Sequence, residues 1–234
     1  MPDKDAGTPR IFLARHGPTE WSQSGAYTSH TELPLLDSGS QLILDTAPLL
    51  IGRGKLVDPT RLAKVYISPR KRAGDTYALM FKHVLDADPK DKKVITNDIR
   101  EWEYGLYEGL KTAEIRKGRK ERGLDGHKDW DIWTDGCEEG ESPAEVTVRL
   151  DKLLHEIREL QRPYMHGEEN ADVLIVAHGH ILRAFTKRFL GYSLPFPLSM
   201  MLEPGAVGVL SYQHHCIDEP AFLLGSMISV PTTG

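Results

Sequence analysis

Two stretches decide the fold of this sequence: Ile11-Phe12-Leu13-Ala14-Arg15-His16-Gly17 and Asp172-Val173-Leu174-Ile175-Val176-Ala177-His178-Gly179. Each is an apolar run that stops abruptly at a His-Gly pair. An apolar run without polar alternation is typical of a strand that is buried on both faces of a parallel sheet. We therefore expect two central strands that bring His16 and His178 to the same edge of one sheet, where functional loops gather.

Outside these stretches, strand and helix patterns alternate along the chain. Further strands are predicted at Leu62–Ile67, at Val94-Ile95, and in the closing runs Val207–Leu210 and Phe222–Leu224. Helices are predicted over 42–50, 73–84, 143–160 with Ser142 as N-cap, and 181–190 before Gly191. This alternation predicts an α/β three-layer sandwich, with a mostly parallel central sheet and helices on both faces.

The domain prediction is a single domain over residues 1–234. The segment 98–140 is rich in Trp, Gly and charged residues, and its apolar content is too thin for a core of its own. We expect this segment to be an excursion from the sheet that forms a lid over the active site.

Composition excludes several classes of protein. The chain has 234 residues, of which 40% are hydrophobic and 27% are charged, which excludes an intrinsically disordered chain. A net charge of −5 makes nucleic acid and anionic membranes poor partners. No apolar stretch approaches the roughly 20 residues that span a bilayer. With Cys137 and Cys216 as its only cysteines and no signal-peptide pattern, the chain is expected to be cytoplasmic.

The residues at the expected sheet edge suit phosphoryl transfer. A neutral imidazole is a competent nucleophile, and guanidinium groups bind phosphoryl oxygens in bidentate fashion. Ser68-Pro69-Arg70-Lys71-Arg72-Ala73 lies where a strand ends and a helix begins, a favourable place for an anion. Arg100-Glu101-Trp102-Glu103-Tyr104-Gly105 offers a carboxyl group that could protonate a leaving oxygen. The sequence has no P-loop pattern and no metal-ligand spacing, so we expect no cofactor and no metal.

The ordered set of motifs resembles the histidine phosphatase superfamily, which includes cofactor-dependent phosphoglycerate mutase. The matching motifs are R-H-G at 15–17, S-P-x-x-R-A at 68–73, E-W-E-Y-G at 101–105, G-E-S at 140–142 and A-H-G-H at 177–180. The resemblance implies the phosphoglycerate mutase-like fold and a phosphohistidine at His16. It also implies a phosphate pocket completed by Arg15, Arg72 and His178, with Glu101 as the proton donor and then the base.

A finer resemblance is to the fungal sedoheptulose-1,7-bisphosphatase group. It rests on residues 24–28, 100–109, 122–125, 132–138 and 208–221. It implies a metal-independent hydrolase of the C1 phosphate of seven- and six-carbon ketose bisphosphates. The residues that would line the sugar and distal-phosphate pocket are Tyr27, Thr28, Ser68, Tyr104, Arg183 and His214. The chain departs from the group at Pro18, Ser22 and Asp75, and it is short between residues 191 and 204.

Several alternatives stay open at this stage. Glu103 competes with Glu101 as the acid, because both are carboxylates of the same motif. His214 and His215 fall on an expected strand, where only one of them can face the pocket. The alternative functions are a phosphatase of sugar monophosphates or other small phosphomonoesters, a phosphoglycerate mutase, and an inactive scaffold. The expected partner is a phosphorylated sugar, and a homodimer is an open alternative.

Overall fold

The computed structural model describes residues 7–225, apart from the side chains of residues 85–87. Within these residues, one sheet has six strands in the order β3-β2-β4-β1-β5-β6. Their bounds are β1 Ile11–Arg15, β2 Leu62–Ile67, β3 Lys93–Ile95, β4 Asp172–Ala177, β5 Val207–Tyr212 and β6 Pro220–Phe222. The pairs β1–β4, β4–β2 and β2–β3 are parallel, whereas β5 runs antiparallel to both β1 and β6. The predicted mostly parallel sheet is confirmed.

The helices flank this sheet. Their bounds are α1 Glu20–Ser24, α2 Asp37–Leu50, α3 Lys71–Phe81, α4 Thr112–Glu121, α5 Ile132–Asp135, α6 Pro143–Gln161 and α7 Gly179–Phe189. Ser142 caps α6 as predicted: its side chain accepts the Glu145 N–H, and the Glu145 carboxylate accepts the Ser142 N–H. None of the helices within residues 7–225 is both long and apolar enough to cross a membrane.

Alternation along the central strands divides the core between the two faces of the sheet. Ile11 and Leu13 pack into the cluster that contains the apolar faces of α6 and α7. Phe12 and Ala14 pack into the cluster that contains those of α2 and α3. Both faces of the central strands are therefore buried, and this explains why their sequences are continuously apolar.

The segment 98–140 contributes no strand to the sheet, but it does contribute to the core. Its buried residues Trp102, Tyr104, Tyr107, Trp130 and Ile132 belong to the same cluster as Ile11 and α6. The thin apolar content is therefore sufficient, because aromatic side chains bury a large area each. The role of this segment as a lid stays a prediction.

Two local predictions near the C-terminus are wrong. The last strand covers Pro220–Phe222 rather than Phe222–Leu224. Residues 213–215, expected on a strand, form a 3₁₀ turn in which His214 and His215 both have positive φ. This turn reverses the chain between β5 and β6.

Candidate active site

The parallel pairing of β1 with β4 brings the two His-Gly pairs together. Arg15 is in register with Ala177, and the His16 N–H donates to the Ala177 carbonyl at 2.9 Å. The rings of His16 and His178 lie 5.0 Å apart, centroid to centroid. The predicted meeting of these histidines at one sheet edge is therefore seen in the structure.

The imidazole of His16 is held as a neutral base. Its Nδ1 lies 2.7 Å from the Gly17 carbonyl, which can only accept, so Nδ1 carries the proton and Nε2 keeps a lone pair. Burial, together with the nearby Arg72 guanidinium, lowers the pKa of His16 to about 3. A neutral imidazole with a free Nε2 at the cavity is a nucleophile.

Arg15 lies beside His16 with a hydrogen-bonding atom to spare. Its Nη1 donates to the Leu202 carbonyl, whereas its Nε is buried and has no partner among the described residues. A buried donor in this state fits an anionic ligand. A Cβ placed on Gly179 would lie 3.3 Å from Arg15 Cζ, so the guanidinium lies directly against the first residue of α7.

Arg72 and His178 lie behind His16 and not at the surface of the cavity. Both are fully buried. Arg72 Nε donates to His178 Nδ1 at 3.2 Å, so His178 carries its proton on Nε2, which lies 2.6 Å from Ser68 Oγ. The remaining guanidinium nitrogens of Arg72 donate to main-chain carbonyls of residues 28, 29 and 31. The structure thus groups Arg72, His178 and Ser68 with His16, but as a supporting layer.

The carboxyl group of Glu101 is fixed by main-chain amides. Its Oε1 accepts the N–H groups of Trp102 and Ile181, both at 2.9 Å, and its Oε2 accepts that of His180 at 3.1 Å. The last two amides belong to the first turn of α7, where N–H groups have no partner within the helix. Both lone pairs of Oε1 are thus occupied, and Oε2 keeps one lone pair on which a transferable proton can sit.

Glu103, the alternative acid, is placed differently. Its side chain is about half exposed, and it pairs with Arg100 at 3.3 Å. It does not line the cavity that Glu101 lines. The geometry therefore favours Glu101 as the acid.

The cavity has a volume of about 320 Å³ and extends from His16 towards an aromatic wall. Tyr27, Thr28, Tyr104 and Arg183 line it as the sequence predicts. His180, the second histidine of the A-H-G-H motif, lines the cavity too, and its Nδ1 lies 2.7 Å from the Tyr104 hydroxyl oxygen. Burial lowers the pKa of His180 well below its usual value, so its ring is a neutral hydrogen-bonding group. Its position in the A-H-G-H motif was the available signal.

Two predicted pocket residues do not line the cavity: Ser68, which lies in the supporting layer with His178, and His214. His214 follows Tyr212, at the end of β5 that pairs with the start of β1, whereas the cavity lies at the other end of β1. Its side chain is exposed and lies 2.6 Å from the Glu219 carboxylate. The prediction was wrong because the chain turns after β5 before it reaches His214.

The described part of the chain offers no obvious metal site. Among residues 7–225, no three or more His, Cys, Asp or Glu side chains are grouped so that they could hold a metal ion. Arg15 and Arg183 line the cavity beside His16, and Glu101 is the one carboxylate among the described residues that line it.

Comparison with known proteins agrees with this geometry. The family model "Histidine phosphatase superfamily (branch 1)" matches residues 11–219. The sedoheptulose 1,7-bisphosphatase of Saccharomyces cerevisiae is 36% identical over 96% of this chain and 95% of its own. An acid phosphatase of Mycobacterium tuberculosis is 34% identical over 88% of this chain and 87% of its own. A solved structure of an open reading frame from the same bacterium is 31% identical, covers 88% of this chain and 92% of its own, and superposes with a TM-score of 0.70. The chain belongs to the histidine phosphatase superfamily, as a phosphoric monoester hydrolase.

Proposed function

We propose that the chain hydrolyses the C1 phosphate of ketose bisphosphates, such as sedoheptulose 1,7-bisphosphate and fructose 1,6-bisphosphate, through a phosphohistidine on His16. The observation that carries the proposal is the state of His16. Its Nδ1–H is fixed by the Gly17 carbonyl, so the free Nε2 is available at a cavity lined by Arg15. Similarity to the yeast sedoheptulose 1,7-bisphosphatase over nearly the whole chain supports the substrate class.

In the first step, His16 Nε2 attacks phosphorus and the bond from phosphorus to the sugar oxygen breaks. The leaving oxygen takes its proton from Oε2 of Glu101, so that it departs as an alcohol rather than as an alkoxide. Arg15 Nε and Nη2 stabilise the negative charge of the phosphoryl oxygens. Arg72 contributes from behind His16 through its fixed positive charge, and His178 orients it by accepting from Arg72 Nε while its own N–H donates to Ser68 Oγ.

In the second step, water attacks the phosphohistidine. The Glu101 carboxylate accepts the proton of this water, the bond between phosphorus and Nε2 breaks, and inorganic phosphate leaves. The neutral His16 and the protonated Glu101 are both restored, so the cycle closes without a metal ion or another reactant.

A second candidate is a phosphatase of sugar monophosphates or other small phosphomonoesters. Similarity to the mycobacterial acid phosphatase favours it. So does Ser22, a departure from the finer group's pattern, because this residue lines the cavity. The other two departures are remote from the sugar: Pro18 packs on Gly39 of α2, and Asp75 pairs with Lys71 on an exposed face of α3.

The deciding experiment measures release of inorganic phosphate from a matched panel: sedoheptulose 1,7-bisphosphate, fructose 1,6-bisphosphate, fructose 6-phosphate, fructose 1-phosphate and glycerol phosphate. We expect the highest kcat/KM for the two bisphosphates, with the C6 or C7 phosphate retained in the product. Comparable kcat/KM for the monophosphates would favour the second candidate. In parallel, substrate labelled in the phosphate should give an acid-sensitive, base-stable label on the protein. This label should be absent in His16→Ala, and a label that persists would place the nucleophile elsewhere.

A further inference from the structure

Glu141 and Arg149 form a buried ion pair next to Glu101 but outside the lining of the cavity. Arg149 Nε lies 2.8 Å from Oε1 of Glu141, and Arg149 Nη2 lies 2.9 Å from Oε2. Glu141 is 5% exposed and Arg149 is 8% exposed. Arg100 Nη2 adds a third charge-assisted hydrogen bond to Oε1, at 2.8 Å. The pair is therefore bidentate, desolvated and fixed in one geometry.

This pair holds the main chain on both sides of Glu101. Before Glu101, Arg149 Nη1 donates to the carbonyl oxygens of Asp98 at 2.9 Å and of Arg100 at 3.0 Å. After it, Glu141 Oε2 accepts the N–H of Glu103 at 3.0 Å, and the N–H of Glu141 donates to the Glu103 carbonyl at 2.9 Å. Between these contacts, the amides of α7 hold the Glu101 carboxyl group.

The main chains at Glu103 and Gly140 are also in close contact. A Cβ on Gly140 would lie 2.1 Å from the carbonyl oxygen of Glu103. The indole Nε1 of Trp102 donates to the Glu141 carbonyl at 2.8 Å. A displacement of Glu141 would therefore also displace residues 102 and 103, because the two segments are in direct contact and hydrogen-bonded to each other.

Stability is a poor explanation for such a pair. Removing two charges from water costs free energy that their attraction barely offsets, and apolar replacements of buried ion pairs are often neutral or stabilising. Fixed geometry is a better explanation, because proton transfer needs donor and acceptor atoms within about 2.6–3.2 Å. We propose that Glu141 and Arg149 are positioning residues, which hold the segment around Glu101 so that its carboxyl group meets the leaving oxygen of the substrate. The inference rests on the proposed function, in which Glu101 is the acid.

The test uses Glu141→Gln, which removes the charge but keeps the shape of the side chain. Glycerol phosphate, whose alkoxide leaves only with a proton, is compared with p-nitrophenyl phosphate, whose phenolate leaves without one. We expect kcat for glycerol phosphate to fall roughly 10- to 100-fold, as a displacement on the order of 1 Å can cause, with little change in KM. The rate for p-nitrophenyl phosphate should stay within about threefold of wild type, because that reaction does not need the acid.

Two further variants separate positioning from general loss of structure. Arg188 and Asp151 form a bidentate pair between α7 and α6, at 2.8 and 2.9 Å, that is more exposed than the Glu141–Arg149 pair. Arg188→Lys is the control that should affect both substrates alike. Arg149→Lys keeps the buried positive charge but loses the bidentate geometry. It replaces Glu141→Gln if that variant does not give folded protein by circular dichroism, and the same discrimination between substrates is expected.

The double variant Glu101→Gln/Glu141→Gln completes the test. It should be no slower on glycerol phosphate than Glu101→Gln alone, because a positioning residue has nothing left to position. Additive losses, or equal losses of Glu141→Gln on both substrates, would overturn the inference. If Glu101→Gln itself does not distinguish the substrates, its role as the acid in the proposed function fails first, and the positioning role fails with it.

Discussion

At the scale of the residue, the burial that keeps the His16 ring neutral also makes the stability of the fold depend on pH. Its folded-state pKa of about 3 lies below the value of about 6.5 for an unfolded chain. Above pH 6.5 the ring is neutral in both states. Below pH 6.5 the unfolded chain takes up a proton that the folded protein does not, so the free energy of unfolding falls as the pH falls from 6.5 towards 3.

We therefore expect His16 to account for a loss of about 2 kcal/mol of stability between pH 7.5 and pH 5, since each unit of pKa difference is worth about 1.36 kcal/mol. Urea unfolding of wild type and His16→Gln at both pH values measures this loss, and the variant should lose less stability than wild type. His155→Gln, at an exposed position of α6, is the control and should follow wild type. An identical pH dependence for His16→Gln would show that the ring of His16 is not held neutral.

Glu101 carries the sharpest prediction about a single residue. Glu101→Gln cannot donate a carboxylic proton, so turnover of a sugar phosphate should fall roughly 10²- to 10⁴-fold. Turnover of p-nitrophenyl phosphate should fall much less. Initial rates of the two reactions give the ratio, and Glu103→Gln, which alters the half-exposed neighbour, should leave it unchanged. Equal losses for both substrates in Glu101→Gln would exclude Glu101 as the acid.

At the scale of the element, helix α7 contacts both Glu101 and Arg15. Its first turn donates two amides to Glu101, and its first residue, Gly179, lies against the Arg15 guanidinium. The same helix carries Arg183 into the cavity. The start of this helix therefore fixes the positions of Glu101 and Arg15 relative to each other.

Gly179→Ala should lower activity without lowering stability. The added Cβ would crowd Arg15 Cζ at 3.3 Å and displace the guanidinium, so we expect kcat/KM to fall about tenfold or more. The melting temperature should not fall, because alanine restricts the unfolded chain more than glycine does. The matched control is Gly118→Ala in α4, where an added Cβ meets no atom within 4 Å. It should raise stability by about 0.5–1 kcal/mol and leave activity unchanged. Unchanged activity in Gly179→Ala would show that Arg15 does not need its present position.

Individual elements also show what could be predicted from the sequence. β1 and β4 could be predicted because burial on both faces leaves continuous apolar runs, and the start of α6 because its capping residues are local signals. The buried role of residues 98–140 could not, because it depends on tertiary packing of their aromatic residues into the cluster that contains Ile11 and α6. His214 was misplaced for a different reason: residues 213–215 form a local turn with positive φ angles, which the sequence does not distinguish from a continued strand. The G-E-S motif was visible, but the contacts of Glu141 with Arg100 and Arg149 are tertiary.

At the scale of the whole molecule, the basic run 117–122 and the arginines of the cavity differ in whether acidic partners neutralise them. The net charge is −5, and the basic run 117–122 is neutralised by acids. Lys120 pairs with Asp129, Arg119 with Asp125, and Arg122 with Glu138. The run is therefore a solvated surface, as most charge runs are. Arg15 and Arg183, by contrast, line the cavity.

From this arrangement we expect phosphatase activity to be independent of divalent metal ions. Arg15 and Arg183 line the cavity, and in the proposed mechanism their guanidinium groups supply the charge neutralisation that Mg²⁺ performs in other phosphoryl-transfer enzymes. Enzyme incubated with EDTA and then assayed in its presence should keep the rate of untreated enzyme. A loss of rate that Mg²⁺ restores would contradict this prediction and the two-step mechanism.

The pairing of β1 with β4 has a further consequence, for synthesis of the chain. The strand that precedes His16 is made first, but its parallel neighbour ends at Ala177, and the helix that holds Glu101 begins only at Gly179. Contacts between such distant segments form late in folding, because a long loop must close first. A nascent chain on the ribosome therefore carries His16 through most of translation before the strand and helix that complete the cavity have been made. We expect phosphatase activity to arise only when β4 and α7 emerge from the exit tunnel.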